Sequence, residues 1–150
     1  MVKSNILVFV RQGFIIGPIA FMSLFLASCS ETKVSRCNTL VSAANRVTQD
    51  IQSLPGQTLQ PKERFAKAAE ILDRASKDMN ALKIQDATVQ KLQLQLVQLY
   101  GRDRDHNQVL ATSNDAKAIR EALQNIQKQD VQQKNIVKAA NAYCQTPEKS

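Results

Sequence analysis

The sequence predicts an all-α fold, an antiparallel four-helix up-and-down bundle that follows a cleaved signal peptide. The 150 residues include only four glycines, four prolines and no tryptophan, a composition that favours helices over strands and turns. Apolar residues recur at intervals of three and four in four separate stretches, which is the pattern of amphipathic helices. The positions of two cysteines, near the first and last of these stretches, fit an even number of helices.

The first helix is predicted from residue 34 to residue 54, because Pro55 and Gly56 then end it. The second is predicted to begin near Pro61, since proline is well tolerated in a first helical turn. The apolar positions of the first helix are Val34, Cys37, Leu40, Val41, Ala44, Val47, Ile51 and Leu54. Those of the second helix are Phe65, Ala68, Ala69, Leu72, Ala75, Met79 and Leu82.

The third helix is predicted to follow Asp86 as its N-cap, and the fourth to follow residues 113–115. The apolar positions of the third helix are Val89, Leu92, Leu96, Leu99 and Tyr100. The core-facing positions of the fourth helix are Ile119, Leu123, Ile126, Asp130, Gln133, Val137, Ala140 and Cys144.

The fourth pattern spans about thirty residues, or about 45 Å of helix, and needs a long partner. Gly101 and the charges after it could form a loop, but a third helix that continues to Thr112 supplies that partner. An interior glycine costs about 1 kcal/mol. We therefore predict a longer hairpin of helices 3 and 4 that projects past helices 1 and 2.

The N-terminal segment has the layout of a secretory signal. Lys3 and Arg11 provide positive charge before an apolar run at residues 14–25. Twelve residues of helix reach only about 18 Å, which is too short to cross a bilayer. The run is followed by Leu26-Ala27-Ser28-Cys29. An ordinary signal-peptidase site has small residues one and three positions before the cut. A cut after Ser28 would place Leu26 at the third position, and a cut after Ala27 would place Phe25 there, so neither site fits.

The sequence Leu26-Ala27-Ser28-Cys29 resembles the lipobox of bacterial lipoproteins. The resemblance implies that residues 1–28 are a signal peptide, which is removed by cleavage just before Cys29. It also implies that Cys29 is acylated and that two or three acyl chains anchor the protein in a membrane. Residues 29–33 would form the acylated N-terminus and a short tether, residues 34–144 the bundle, and residues 145–150 a flexible tail. The short tether would hold Lys33 and Arg36 near anionic headgroups.

The same resemblance implies a location outside the cytosol, facing the periplasm or the cell exterior. Ser30 follows the acylated position, and it is not the aspartate that retains many lipoproteins of Gram-negative bacteria in the inner membrane. We therefore expect the outer membrane if the organism is Gram-negative.

The cysteine count supports both the anchor and the helix count. With Cys29 acylated, Cys37 and Cys144 remain as a pair in an oxidising compartment. Two separately buried thiols are the alternative. A bundle of four helices returns the chain to the end where it began, so these cysteines would lie at the same end. Three helices would leave them at opposite ends.

Sequence motifs of enzymes are absent. His106 is the only histidine, which excludes HExxH zinc sites and the paired ExxH motifs of di-iron bundles. Asp103 and His106 share one helical face, and an exposed structural pair explains them more simply than a metal site. We find no Gly-rich phosphate loop and no CxxC motif. We therefore expect no enzymatic activity, no metal and no cofactor.

Asp130 and Gln133 interrupt the apolar face of the fourth helix. A rotation of that helix would explain them, as would an ion pair of Asp130 with Arg46 or Arg74. Both explanations are simpler than a ligand site.

The formal net charge of +7 is spread over interspersed basic and acidic residues, so a nucleic-acid partner is not expected. Two functions fit the sequence. The first is binding of another envelope or membrane protein, in an accessory, assembly or inhibitory role. Its candidate contacts lie on the projecting hairpin, at Arg102, Arg104, His106 and Leu110. The second is binding of a small apolar ligand between the helices, near Phe65, Met79 and Tyr100.

Overall fold

A computed structural model describes residues 32–55 and 58–146, and within these ranges it contains four α-helices and no strand. The helices are α1 Lys33–Gln52, α2 Pro61–Ala81, α3 Ala87–Thr112 and α4 Ala116–Gln145. The predicted all-α bundle with a longer α3–α4 hairpin is therefore confirmed. The predicted signal peptide, Cys29 and the last residues of the predicted tail lie outside the described residues.

Local capping explains where the helices begin. The side chains of Thr32, Asp86 and Asp115 each accept a hydrogen bond from a backbone amide in the first turn of α1, α3 and α4. Pro61 occupies the start of α2. The predicted boundaries at Pro61, Asp86 and residues 113–115 are thus confirmed.

The core lies between the helices, where α2 packs most extensively on α3 and α4 packs on both α3 and α1. It is built mostly from the predicted apolar positions of the first three helices, with Ile84 and Ala140 added, whereas the predicted Val34 is 55% exposed. Its most completely buried side chains are Tyr100, Leu40, Met79, Leu96, Leu99, Val89 and Cys37. None of the helices in the described ranges has the length and apolarity that a membrane crossing requires.

Helix α3 runs through Gly101 without interruption. The alternative of a loop at this point is therefore wrong. A Cβ atom added at Gly101 would meet nothing within 4 Å, so close packing does not require a glycine here.

The predicted apolar face of α4 is correct toward its C-terminus, where Ala140 is buried and Val137 and Cys144 pack against the core. Toward its N-terminus the helix is rotated from the predicted face. Leu123 is 43% exposed and Asp130 is exposed. The residues of α4 that are buried are Ala122, Gln129 and Ala140. Asp130 forms its ion pair with Lys134 at 2.6 Å, rather than with Arg46 or Arg74. A rotated helix therefore explains the polar residues on the predicted face.

The α3–α4 hairpin extends past α1 but not past α2. Gln133 on α4 donates to Thr48 Oγ1 at 3.1 Å, and α1 ends four residues after Thr48, so roughly 20 Å of α4 continues beyond α1. Lys62, at the start of α2, donates to Asn114 Oδ1 at 2.7 Å in the turn between α3 and α4. Since α2 reaches that turn, Leu110 is only 3% exposed. The prediction of a hairpin that projects past both helices is wrong for α2.

The two ends of the bundle domain are joined at the opposite end of the molecule. Cys37 and Cys144 form a disulfide with their Cα atoms 6.0 Å apart, which confirms the predicted pairing and the even helix count. Beside it, Lys33 Nζ donates to the carbonyl oxygen of Thr146 at 2.8 Å and lies 4.0 Å from the centre of the Tyr143 ring. Lys33 is buried by these contacts, so its ammonium group is paired within the bundle.

Candidate functional site

A cavity of about 400 Å³ lies beside the C-terminal end of α1 and is lined by all four helices. It exists because α1 ends where α2, α3 and α4 continue toward the α3–α4 turn. The apolar residues of its wall are Val47, Ile51, Leu54, Phe65, Ala68, Leu72, Leu123 and Ile126. The polar residues of its wall are Thr48, Gln52, Arg64, Asp103, Asn107, Asp130 and Gln133.

The wall combines small and large side chains from neighbouring helices. On α2, Phe65, Ala68 and Leu72 follow one another on the same helical face, and the small Ala68 leaves space between the two larger residues. On α4, Leu123 lines the cavity and is nevertheless 43% exposed. A ligand in the cavity would therefore remove apolar surface from water, which favours binding.

Asp103 is the one carboxyl group in the wall that is buried, with 9% of its surface exposed. Its Oδ1 atom has no hydrogen-bond partner. Burial raises the pKa of Asp103 to about 7, a rise that the charge of Arg102 opposes and the charge of Asp130 reinforces. The cavity wall thus holds a carboxyl group that changes protonation state near neutral pH.

The burial of Asp103 corrects an expectation from the sequence, which placed it with His106 in an exposed pair. The missed signal is the spacing of Leu96, Tyr100, Asp103, Asn107 and Leu110, which continues the buried face of α3 at intervals of three and four. Apolar periodicity alone overlooks such a face where two of its positions are polar.

The residues expected near an apolar ligand are only partly in the cavity. Phe65 lines it, whereas Met79 and Tyr100 are buried in the solid core. The Tyr100 hydroxyl is buried with no hydrogen-bond partner, and burial raises the pKa of Tyr100, with the nearby charge of Asp103 adding to the effect. The cavity therefore lies farther toward the α3–α4 turn than the sequence suggested.

The four candidate contacts for a protein partner do not form one surface. Arg104 binds Asp105 and Asp73 at 2.7 and 3.2 Å, and these hydrogen bonds raise the pKa of Arg104. Arg102 is exposed and lines a groove between α3 and α4. His106 is half-buried and Leu110 is buried. Leu110 is therefore not available as a surface contact.

Among the described residues, no group of three or more histidine, cysteine, aspartate or glutamate side chains is placed to hold a metal ion. The comparisons with known proteins found no match to the chain among protein-family models, curated sequences or solved structures. The cavity and the surface residues are therefore the basis for inferring a function.

Proposed function

We propose that the protein is a lipid-anchored, non-enzymatic binding module that holds a small, largely apolar ligand in the cavity between its four helices. The observation that carries this proposal is the cavity itself. Its volume of about 400 Å³ falls in the range of small-molecule sites, which are mostly apolar with a few polar groups. The wall described above has that composition.

The position of the cavity supports access from the aqueous side of a membrane. The proposed anchor, Cys29, precedes the start of α1 by only a few residues, and the cavity lies at the other end of that helix. The first residue of α1 that lines the cavity is Val47, 14 residues after Lys33, so the cavity begins roughly 20 Å from the start of the helix. We propose that the anchored bundle presents this end to the periplasm or the cell exterior.

Leu123 offers a direct test, because a larger side chain at this half-exposed position would fill the cavity without disturbing the buried core. Leu123→Trp is the test variant. Leu94→Trp is its matched control, since Leu94 is 55% exposed on α3 and does not line the cavity. The acylated proteins, in nanodiscs of zwitterionic lipid, would be titrated with the apolar fluorophore N-phenyl-1-naphthylamine, with empty nanodiscs as background.

The wild type and Leu94→Trp should bind the fluorophore with similar affinity, and Leu123→Trp should bind it at least about tenfold more weakly, because the added ring occupies the ligand's space. Equal binding by all three proteins would contradict a ligand site in this cavity.

A second candidate is the binding of another envelope protein, and the outer groove between α3 and α4 favours it. Arg102 lines this groove. Its other lining residues include the exposed amide side chains of Gln95 and Gln98, which can form hydrogen bonds with a partner. We infer a partner that presents an acidic side chain to Arg102 in this groove.

Photo-crosslinking in native membranes would test this second candidate. A photoreactive residue at Gln98, which lines the groove, should capture one defined protein. The same residue at Gln49, which is exposed on α1, serves as the control and should not capture that protein. Adding Arg102→Glu should abolish the capture at Gln98, and an unchanged yield would contradict the candidate.

A further inference from the structure

We propose that the apolar ligand of the cavity carries a cationic amine, which pairs with the carboxylate of Asp103. This inference rests on the proposed ligand-binding function and adds the chemical class of the ligand. It is drawn from the charges of the cavity wall and from their burial.

Three charged residues line the cavity, and they differ in burial. Arg64 is exposed. Asp130 has a side chain that is 58% exposed and already binds Lys134 at 2.6 Å. Asp103 is buried. Because solvent screens the first two groups, the charge that a bound ligand meets away from water is that of Asp103.

No neighbouring helix neutralises Asp103 within the cavity. The residues that α1 contributes to the wall are uncharged, and α2 contributes only the exposed Arg64. On α3, the charge of the adjacent Arg102 favours the ionised form of Asp103, but the Arg102 side chain is exposed and lines the groove between α3 and α4 rather than the cavity. On α4, Asp130 is a second carboxylate, which repels a negative charge at Asp103.

A buried carboxylate without a partner is costly, and an opposite charge within a few ångströms removes much of that cost. A ligand ammonium group would also supply hydrogen-bond donors to the carboxylate, whose Oδ1 atom has no partner. A carboxylate ligand would meet Asp103 and Asp130 as like charges. The cavity therefore favours a cation over an anion of the same shape.

The pairing implies a pH dependence of a defined sign. Since the pKa of Asp103 is about 7, the group is largely protonated at pH 6 and largely ionised at pH 8. An amine that pairs with the ionised form must displace the proton at pH 6, so its affinity should rise about tenfold from pH 6 to pH 8. The affinity of a neutral ligand should not rise between pH 6 and pH 8.

Three probes of equal chain length separate the possibilities: octylamine, 1-octanol and octanoate. Each would be titrated by calorimetry into the acylated full-length mature protein in nanodiscs of zwitterionic lipid, at pH 6 and pH 8, with empty nanodiscs subtracted. Asp103→Asn is the test variant. Asp105→Asn is the matched control, because Asp105 lies on the same helix, is exposed and does not line the cavity.

At pH 8 the wild type and Asp105→Asn should bind octylamine at least about tenfold more tightly than 1-octanol, and octanoate most weakly. Asp103→Asn should bind the amine and the alcohol alike. Octylamine binding no tighter than 1-octanol binding, or an amine preference that survives Asp103→Asn, would overturn the inference.

The failure of this inference differs from the failure of the proposed function. If 1-octanol binds in the cavity and octylamine binds no better, only the cationic ligand is excluded. If none of the three probes binds above the empty-nanodisc background, the ligand-binding function fails as well. The wild-type pH dependence gives a second measurement that does not require a substituted protein.

Discussion

Lys33, the first residue of α1, caps the C-terminal end of α4 through Thr146, which lies 113 residues later in the chain. Its Nζ atom donates to the Thr146 carbonyl oxygen at 2.8 Å and to the Thr146 hydroxyl at 2.7 Å. A positive charge at a helix C-terminus also interacts favourably with the helix dipole. The first and last helices are thus held together by a polar contact beside the disulfide.

Replacement of Lys33 by methionine should lower the free energy of unfolding by about 1.5 to 3 kcal/mol, because charge-assisted hydrogen bonds are lost. Urea unfolding measures this change. Lys91→Met is the control, since Lys91 is exposed on α3, and it should change stability by less than about 0.5 kcal/mol. Equal effects of the two variants would show that the Lys33 contact contributes nothing.

The disulfide should make a large contribution to stability, because it closes a loop of 107 residues. On the chain-entropy account, a loop of this length stabilises by up to about 4.7 kcal/mol. The Cys37→Ala/Cys144→Ala variant should therefore unfold at a lower urea concentration than the wild type. Adding reductant should lower the wild-type midpoint and leave that of the double variant unchanged. A wild-type midpoint insensitive to reductant would contradict the prediction.

Gly101→Ala should stabilise the protein by about 1 kcal/mol, because alanine loses less backbone entropy in a helix than glycine does. The added methyl group would meet no atom within 4 Å, so no steric cost offsets the gain. The midpoint of thermal unfolding should rise accordingly. A fall in that midpoint would mean that the position requires glycine for a reason other than space.

Removal of the hydroxyl group from Tyr100 and from Tyr143 should change the free energy of unfolding in opposite directions. Tyr100→Phe removes a buried hydroxyl with no partner and should raise the free energy of unfolding by about 1 kcal/mol. Tyr143→Phe removes a hydroxyl that donates to Asp86 Oδ2 at 2.8 Å and should lower it by about 1 kcal/mol. Urea unfolding of both variants tests the difference in sign, and shifts of the same sign would contradict it.

Asp103 should make the protein less stable as the pH rises from about 4 to about 7. The pKa of this group is about 7 in the folded protein against an ordinary value of 3.8. The folded state therefore binds more protons than the unfolded state in this range, so the free energy of unfolding falls with increasing pH and levels off above the folded pKa.

Asp103→Asn should remove this pH dependence and be more stable than the wild type at pH 8, by roughly 2 to 4 kcal/mol. Denaturant unfolding at pH 5 and pH 8 measures it, with Asp105→Asn as the control that should retain the wild-type dependence. A wild-type curve that does not fall over this interval would show that the Asp103 carboxyl is not desolvated.

Asp86 and Asp73 affect the pH dependence of stability only at lower pH, because their pKa values are lowered. Burial opposes ionisation of Asp86, but hydrogen bonds from the Val89 amide and the Tyr143 hydroxyl outweigh it and hold the pKa of Asp86 below its ordinary value. Hydrogen bonds from Lys77 and Arg104 lower the pKa of Asp73. Any stabilisation from these two groups is lost only as the pH falls through their lowered pKa values, which separates them from Asp103.

The helix boundaries could be predicted because they depend on residues close in sequence. The side chains of Asp86 and Asp115 accept hydrogen bonds from backbone amides two or three residues later, which would otherwise have no partner in the helix. Pro61 starts α2 and has no backbone N–H that needs a partner. The apolar faces of α2 and α3 were predictable for the same reason, since a periodic pattern determines which side of a helix leaves water. The pairing of Cys37 with Cys144 followed from the cysteine count and the even number of helices.

The rotation of the N-terminal part of α4 and the burial of Asp103 could not be predicted from that periodicity. The pattern of α4 allows either Ala122 or Leu123 to face the core, and contacts with α1 and α3 decide between them. Asp103 is an ionisable residue on the buried face of α3. Burial of its carboxyl group costs free energy, which the packing of the surrounding helices must offset. Apolar periodicity overlooks a buried residue of this kind.

The sequence by itself determined the four helices, their order and the disulfide, because each depends on local capping, periodicity or the number of cysteines. The tertiary structure alone decided the relative heights of the helices, which no local pattern encodes. Since α1 ends beside the middle of α4 while α2 starts at the α3–α4 turn, one corner of the bundle lacks a fourth helix. The cavity and its buried carboxyl group lie beside that corner.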